Sequence, residues 1–203
     1  MRKFTSVLCA AVLTLGMAVT AFANPSVSTI ATEKVAVSAE TEAKLGGKTL
    51  TVREAAPENY ENKEVAEAVK KLNDKASKIT MAEMLGILKV DVSAAKTESG
   101  KEIDLTKYEP ITKFADLVVT DGTSVEYDVN GEVISVEATI TLDAVKDAEA
   151  ENLMIMQLNP KTGDVHFIEF EEDKFDAKTG EVTVTFPCMG PFTVLEKLSL
   201  IHI

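Results

Sequence analysis

The stretch Val125-Glu126-Tyr127-Asp128-Val129-Asn130-Gly131-Glu132-Val133-Ile134-Ser135-Val136-Glu137-Ala138-Thr139-Ile140-Thr141-Leu142 decides the fold class. Before Asn130, the apolar residues Val125, Tyr127 and Val129 alternate with polar ones. After Gly131, Ile134, Val136, Ala138, Ile140 and Leu142 do the same. A period of two lines one face of a strand. Asn-Gly between two such runs predicts a hairpin, because its type I′ turn needs positive φ at both central residues.

Reading toward the C-terminus, the period persists. Leu153–Leu158 is almost wholly apolar, Asn159-Pro160-Lys161-Thr162-Gly163-Asp164 has turn chemistry, and Val165–Phe170 returns as a strand. Ala177-Lys178-Thr179-Gly180-Glu181 repeats the Lys-Thr-Gly-acid pattern ahead of Val182, Val184 and Phe186. The likeness reads as two turns that each need a left-handed glycine, rather than as an internal repeat. A last strand covers Phe192–Glu196, and another lies near Leu117–Thr120. About seven short strands at this spacing predict an antiparallel β-sandwich over 111–197.

Toward the N-terminus the period becomes helical, so the fold class is α+β. In 48–110, Lys48–Arg53 alternates like a short strand. Asn62 caps a helix whose Val65, Val69, Leu72 and Ala76 share one face. Glu67 and Lys71 pair at i,i+4 on the opposite face. Thr80-Met81-Ala82-Glu83 is a capping box before Met84, Leu85 and Leu88. Residues 24–47 are Ala-, Ser-, Thr- and Glu-rich and read as a flexible lead-in.

The first 23 residues have the three-part grammar of a secretory signal peptide. Arg2 and Lys3 are basic, Val7–Val19 is apolar, and Ala21-Phe22-Ala23 is an Ala-x-Ala site, placing cleavage between Ala23 and Asn24. An uncleaved anchor is disfavoured by that site and by the helix-breaking Pro25. A lipoprotein reading fails because Cys9 lies inside the apolar region and follows Leu8. The 203-residue chain carries a net charge of −12. Cleavage removes Arg2 and Lys3 from its 21 basic residues, leaving 19 against 33 acidic ones, a net of −14. That sign excludes a nucleic-acid binder, which needs a cationic face to displace counterions. No second apolar run of spanning length follows, so the processed chain is expected not to span a membrane.

Candidate chemistry is sparse. Cys188, the one cysteine left after cleavage, and His166 are the only pair that could act as nucleophile and base. A lone cysteine beside core strands is more simply a small buried hydrophobe, and no third group is evident to orient His166. His202 stands at the extreme end. Glu169, Glu171, Glu172 and Asp173 offer oxygens to Ca²⁺ but lack the spacing of an EF-hand loop, and read as a solvated strand edge. Glu98-Ser99-Gly100-Lys101 has a Gly-Lys without the rest of a P-loop and reads as a turn. Carbohydrate platforms are poorly supplied, with no Trp and, after cleavage, six Phe and three Tyr. No cofactor or metal is expected.

The signal peptide, Val125-Glu126-Tyr127-Asp128-Val129-Asn130-Gly131, and the ending Val182-Thr183-Val184-Thr185-Phe186-Pro187-Cys188-Met189-Gly190-Pro191-Phe192-Thr193-Val194 together resemble small exported proteins of Gram-positive, gut-type bacteria. Those contain β-sandwich modules whose closing strand carries a Ser/Gly-Pro-Phe element. The likeness covers about residues 113–196 and transfers no functional residue. It implies a structural, spacer or recognition unit, secreted or associated with the cell wall, whose partner is an extracellular protein or glycan. The chain departs from wall-anchored members in lacking an LPxTG-like sorting signal, and 198–203 reads as an artefactual tail. The expectation is therefore an exported, non-enzymatic module. A secreted hydrolase using dispersed carboxylates and a Ca²⁺-dependent adhesion module are the alternatives.

Overall fold

The computed structural model describes residues 30, 33–75, 79–90 and 95–198. The signal peptide, the Ala23–Asn24 bond, Ala76, His202 and the tail from 199 lie outside the described residues. The strands in chain order are β1 (Glu33–Lys34), β2 (Ala36–Val37), β3 (Thr49–Glu54), β4 (Tyr108–Pro110), β5 (Ala115–Thr120), β6 (Val125–Glu126), β7 (Val136–Thr141), β8 (Leu153–Leu158), β9 (Val165–Glu169), β10 (Phe175–Asp176), β11 (Glu181–Phe186) and β12 (Gly190–Lys197). The helices are α1 (Ala39–Lys44), α2 (Lys63–Lys75) and α3 (Met81–Leu88). The architecture is α+β and mostly sheet, with every strand pair antiparallel.

A large sheet runs β1-β3-β5-β12-β8-β9, with β4 added beside β12 and β6 beside β5. A smaller sheet runs β10-β11-β7-β2. Directly opposed residues share a face, so Val52, Leu117, Phe192 and Ile155 point together toward the small sheet. There Phe186 of β11 meets Phe192 edge-on, with ring centroids 5.5 Å apart. The small sheet alternates: Val182, Val184 and Phe186 are buried, while the Thr183 and Thr139 hydroxyls join on its outer face at 2.8 Å. By contrast β8 is buried at every position, and at its end Leu158 lines a groove together with Val65 and Ala68 of α2. A strand covered on both sides reads as an unbroken apolar run.

Both predicted helices form. The Asn62 carboxamide oxygen accepts from the Glu64 and Val65 amides, and Val65, Val69 and Leu72 are buried. The Thr80–Glu83 box closes reciprocally at 3.3 and 3.1 Å. Thr80→Ala is expected to cost about 1 kcal/mol, read as a lower urea midpoint at unchanged slope.

Three expectations need correction. The Asn130-Gly131 turn is present, with φ of 54° and 85° and two backbone bonds between Val129 and Glu132. It is a corner rather than a hairpin, because β6 pairs with β5 in the large sheet whereas β7 pairs with β11 in the small one. The divide at 110/111 does not separate folded units, since β3 pairs with β5 over six positions and β4 pairs with β12. Residues 33–47 carry β1, β2 and α1 rather than a flexible lead-in; β2 extends the small sheet, and Leu45 is buried.

Candidate functional site

The described residues contain one fully buried charged side chain, Asp116. It lies on β5, in register with Arg53 of β3 and Pro191 of β12. Its even-numbered place turns it away from the small sheet, toward the segment that leads into α2. There it accepts from the Tyr60 hydroxyl at 2.5 Å, the Tyr127 hydroxyl at 2.7 Å and the Ala56 amide at 3.0 Å. The Arg53 guanidinium stands 4.0 Å away and donates to the Tyr127 hydroxyl at 3.4 Å. The two tyrosine rings meet edge-on at 5.4 Å. Burial pushes the Asp116 carboxyl above its usual range, against the opposing pull of its donors and Arg53. Burial and the Asp116 charge hold both tyrosines far above the normal phenol value, so they remain neutral donors. Every hydrogen bond here joins separate elements, and together they fasten the turn before α2 and the 125–128 corner onto β5.

Outside this lock, the same corner is held by lysines. Glu126 accepts from Lys48 at 2.5 Å, and Asp128 accepts from Lys161 at 2.5 Å, with Glu61 3.5 Å from Lys161. Glu61, Glu126, Asp128 and Lys161 border a cleft of about 180 Å³ between the corner and the β8–β9 turn.

Of the sequence candidates, His166 lies on β9, an edge strand of the large sheet, and Cys188 lies just before β12. His166 on β9 pairs through Nδ1 with Glu98 at 2.8 Å, an orienting group that sequence reasoning did not identify. Cys188 makes no hydrogen bond to His166 among the described residues. Its thiol is buried and pushed up to about 12, chiefly by loss of solvent and then by the Glu98 and Asp164 charges. A nucleophilic cysteine needs the opposite shift. An aromatic disulfide reagent at pH 8 is therefore expected to leave the native thiol unlabelled and to label it once the chain is unfolded in guanidinium.

Two members of the acidic run are engaged by neighbours. Glu169 accepts from Ser99 at 2.7 Å and pairs with Lys101 at 2.9 Å, while Glu171 pairs with Lys174 at 3.0 Å. Among the described residues, no group of three or more His, Cys, Asp or Glu side chains is placed to hold a metal. Residues 98–101 form a turn, with Gly100 at φ 88°. Its Glu98 amide donates to the Phe167 carbonyl, docking it on β9.

No family model, curated protein or solved structure matches the chain. Asp116, Tyr60, Tyr127 and Arg53 were all missed in the sequence. A visible sign was Asp116 itself, an isolated acid within the apolar run Ala115-Asp116-Leu117-Val118-Val119. A charge in such a run must find partners or be neutralised.

Proposed function

We propose that this chain is an exported, non-enzymatic structural or binding module of the bacterial cell surface or secretome, presenting loops from its sandwich to an extracellular protein or glycan. The observation that carries this reading is the Arg2-to-Ala23 sequence, whose basic, apolar and Ala-x-Ala parts have the order required for export. The built-in use of the buried groups supports it. Asp116 and both its tyrosines are spent on joining elements, and the Cys188 thiol is held protonated. A net charge of −14 after cleavage favours solubility outside the cell.

Expression of the full chain in a Gram-positive host tests the reading. The product is expected in the medium or on shaved cell surfaces, with Asn24 as its first residue by mass spectrometry. Retention in the cytosol with residues 1–23 intact overturns it.

A further inference from the structure

The Asn130-Gly131 turn combines three features that bear on its own covalent stability. Asn130 and Gly131 are exposed at the tip of the corner. Gly131 has no side chain to hinder its nitrogen, and that N–H donates to Asp128 Oδ1 at 2.7 Å. The Asn130 carboxamide makes no hydrogen bond among the described residues. Four other asparagines are held: Asn62 and Asn159 accept from backbone amides, Asn73 bonds Phe114 in both directions, and Asn152 donates to Glu149; Asn59 is exposed but is followed by the bulky, buried Tyr60 rather than by glycine.

We propose that Asn130 is a self-modification site at which the chain deamidates through a cyclic imide, with Asp128 as the base. The Gly131 nitrogen attacks Asn130 Cγ while Asp128 Oδ1 takes its proton, and a new N–C bond closes a five-membered succinimide. The Cγ–Nδ2 bond breaks, and the nitrogen leaves as ammonia with the proton that Asp128 accepted. Water then opens the ring at either carbonyl, giving aspartate or isoaspartate. The sum is one water consumed and one ammonia released. Asp128 is suited to this role because a carboxylate is ionised at neutral pH and its pair with Lys161 occupies its second oxygen, leaving Oδ1 on the glycine N–H.

The product matters to the fold. Isoaspartate inserts an extra carbon into a two-residue turn that joins the two sheets, and the paired Val129 and Glu132 backbone bonds of 2.9 and 3.1 Å depend on that length. Either product also adds a negative charge beside Asp128 and Glu132.

Incubation of the purified chain at pH 7.5 and 37 °C, followed by peptide mapping and isoaspartate detection, tests the site. The expected result is a gain of about one mass unit confined to the peptide containing Asn130. The folded chain should convert at least as fast as a free peptide of residues 127–133, because the base is already in place. Asp128→Asn should slow conversion by about tenfold, whereas Lys161→Met, which breaks the ion pair but keeps the carboxylate, should leave most of the rate. An Asn130 that keeps its amide while the free peptide loses it overturns the site. Equal slowing in both variants, or none in Asp128→Asn, overturns the assignment of the base.

Discussion

Asp116→Ala is expected to lower the unfolding free energy by about 3–5 kcal/mol, read as a large fall in urea midpoint with little change in slope. The substitution removes a buried carboxylate that accepts from two buried tyrosine hydroxyls and from a half-buried backbone amide. It leaves those donors, and the Arg53 charge, without their acceptor. A shared acceptor also predicts non-additivity. Tyr60→Phe and Tyr127→Phe should each cost about 1–2 kcal/mol, yet either added to Asp116→Ala should cost much less, since its acceptor has already gone. Full additivity in that cycle would show that the three side chains do not act as a unit.

The same cluster sets a pH dependence whose sign follows from its shifts. Asp116 has a folded pKa above its unfolded one, so the folded chain holds the proton more tightly. Its contribution is fully present below the ordinary aspartate range and is lost as pH rises through the raised value. Tyr60 and Tyr127 are also raised, so their contribution is complete below pH about 10 and is lost above it, where unfolded tyrosines ionise. Stability should therefore fall steeply in alkali, and Tyr60→Phe should flatten that fall.

How much of this was legible in the sequence depended on whether a feature is local. The Thr80–Glu83 box, the Asn62 cap and the positive φ at Gly163 and Gly180 are each set within a few residues, and each was readable. The two Lys-Thr-Gly turns are built alike: Gly163 N–H bonds Asn159 C=O and Gly180 N–H bonds Asp176 C=O. That shared closure explains their likeness without a duplicated module. Asn130-Gly131 shows where local reading stops. Its dihedrals followed from the pair itself, but the separation of β6 from β7 depends on β5 and β11, which lie elsewhere in the chain. Likewise, nothing in Thr49–Glu54 names Ala115–Thr120 as its partner. The site was hidden for the same reason. Asp116 is separated from Tyr60 by 56 positions and from Tyr127 by 11, and only the sheet register brings them together.

Gly190→Ala is the second substitution expected to have a large effect, about 3–5 kcal/mol. Gly190 opens β12 at φ 149°, a backbone conformation that L side chains rarely adopt. A methyl there would run into the Leu158 carbonyl oxygen and stand 2.6 Å from Pro160 Cδ. Neither can swing aside. Leu158 is the last residue of a strand paired on both sides, and the Pro160 carbonyl accepts from the Asn62 amide at the start of α2. Relief of the clash must therefore move β12, β8 or the helix start. Gly163 provides the comparison. It also has positive φ, 86°, but an added Cβ would meet only the end of the Asn62 side chain at 3.3 Å and a Val65 methyl at 3.5 Å. Gly163→Ala should cost about 1–2 kcal/mol, the conformational penalty with little steric addition. Paired urea titrations of the two variants measure the difference. A Gly163→Ala loss equal to that of Gly190→Ala would mean that left-handed backbone strain, rather than contact with rigid backbone and ring atoms, governs both positions.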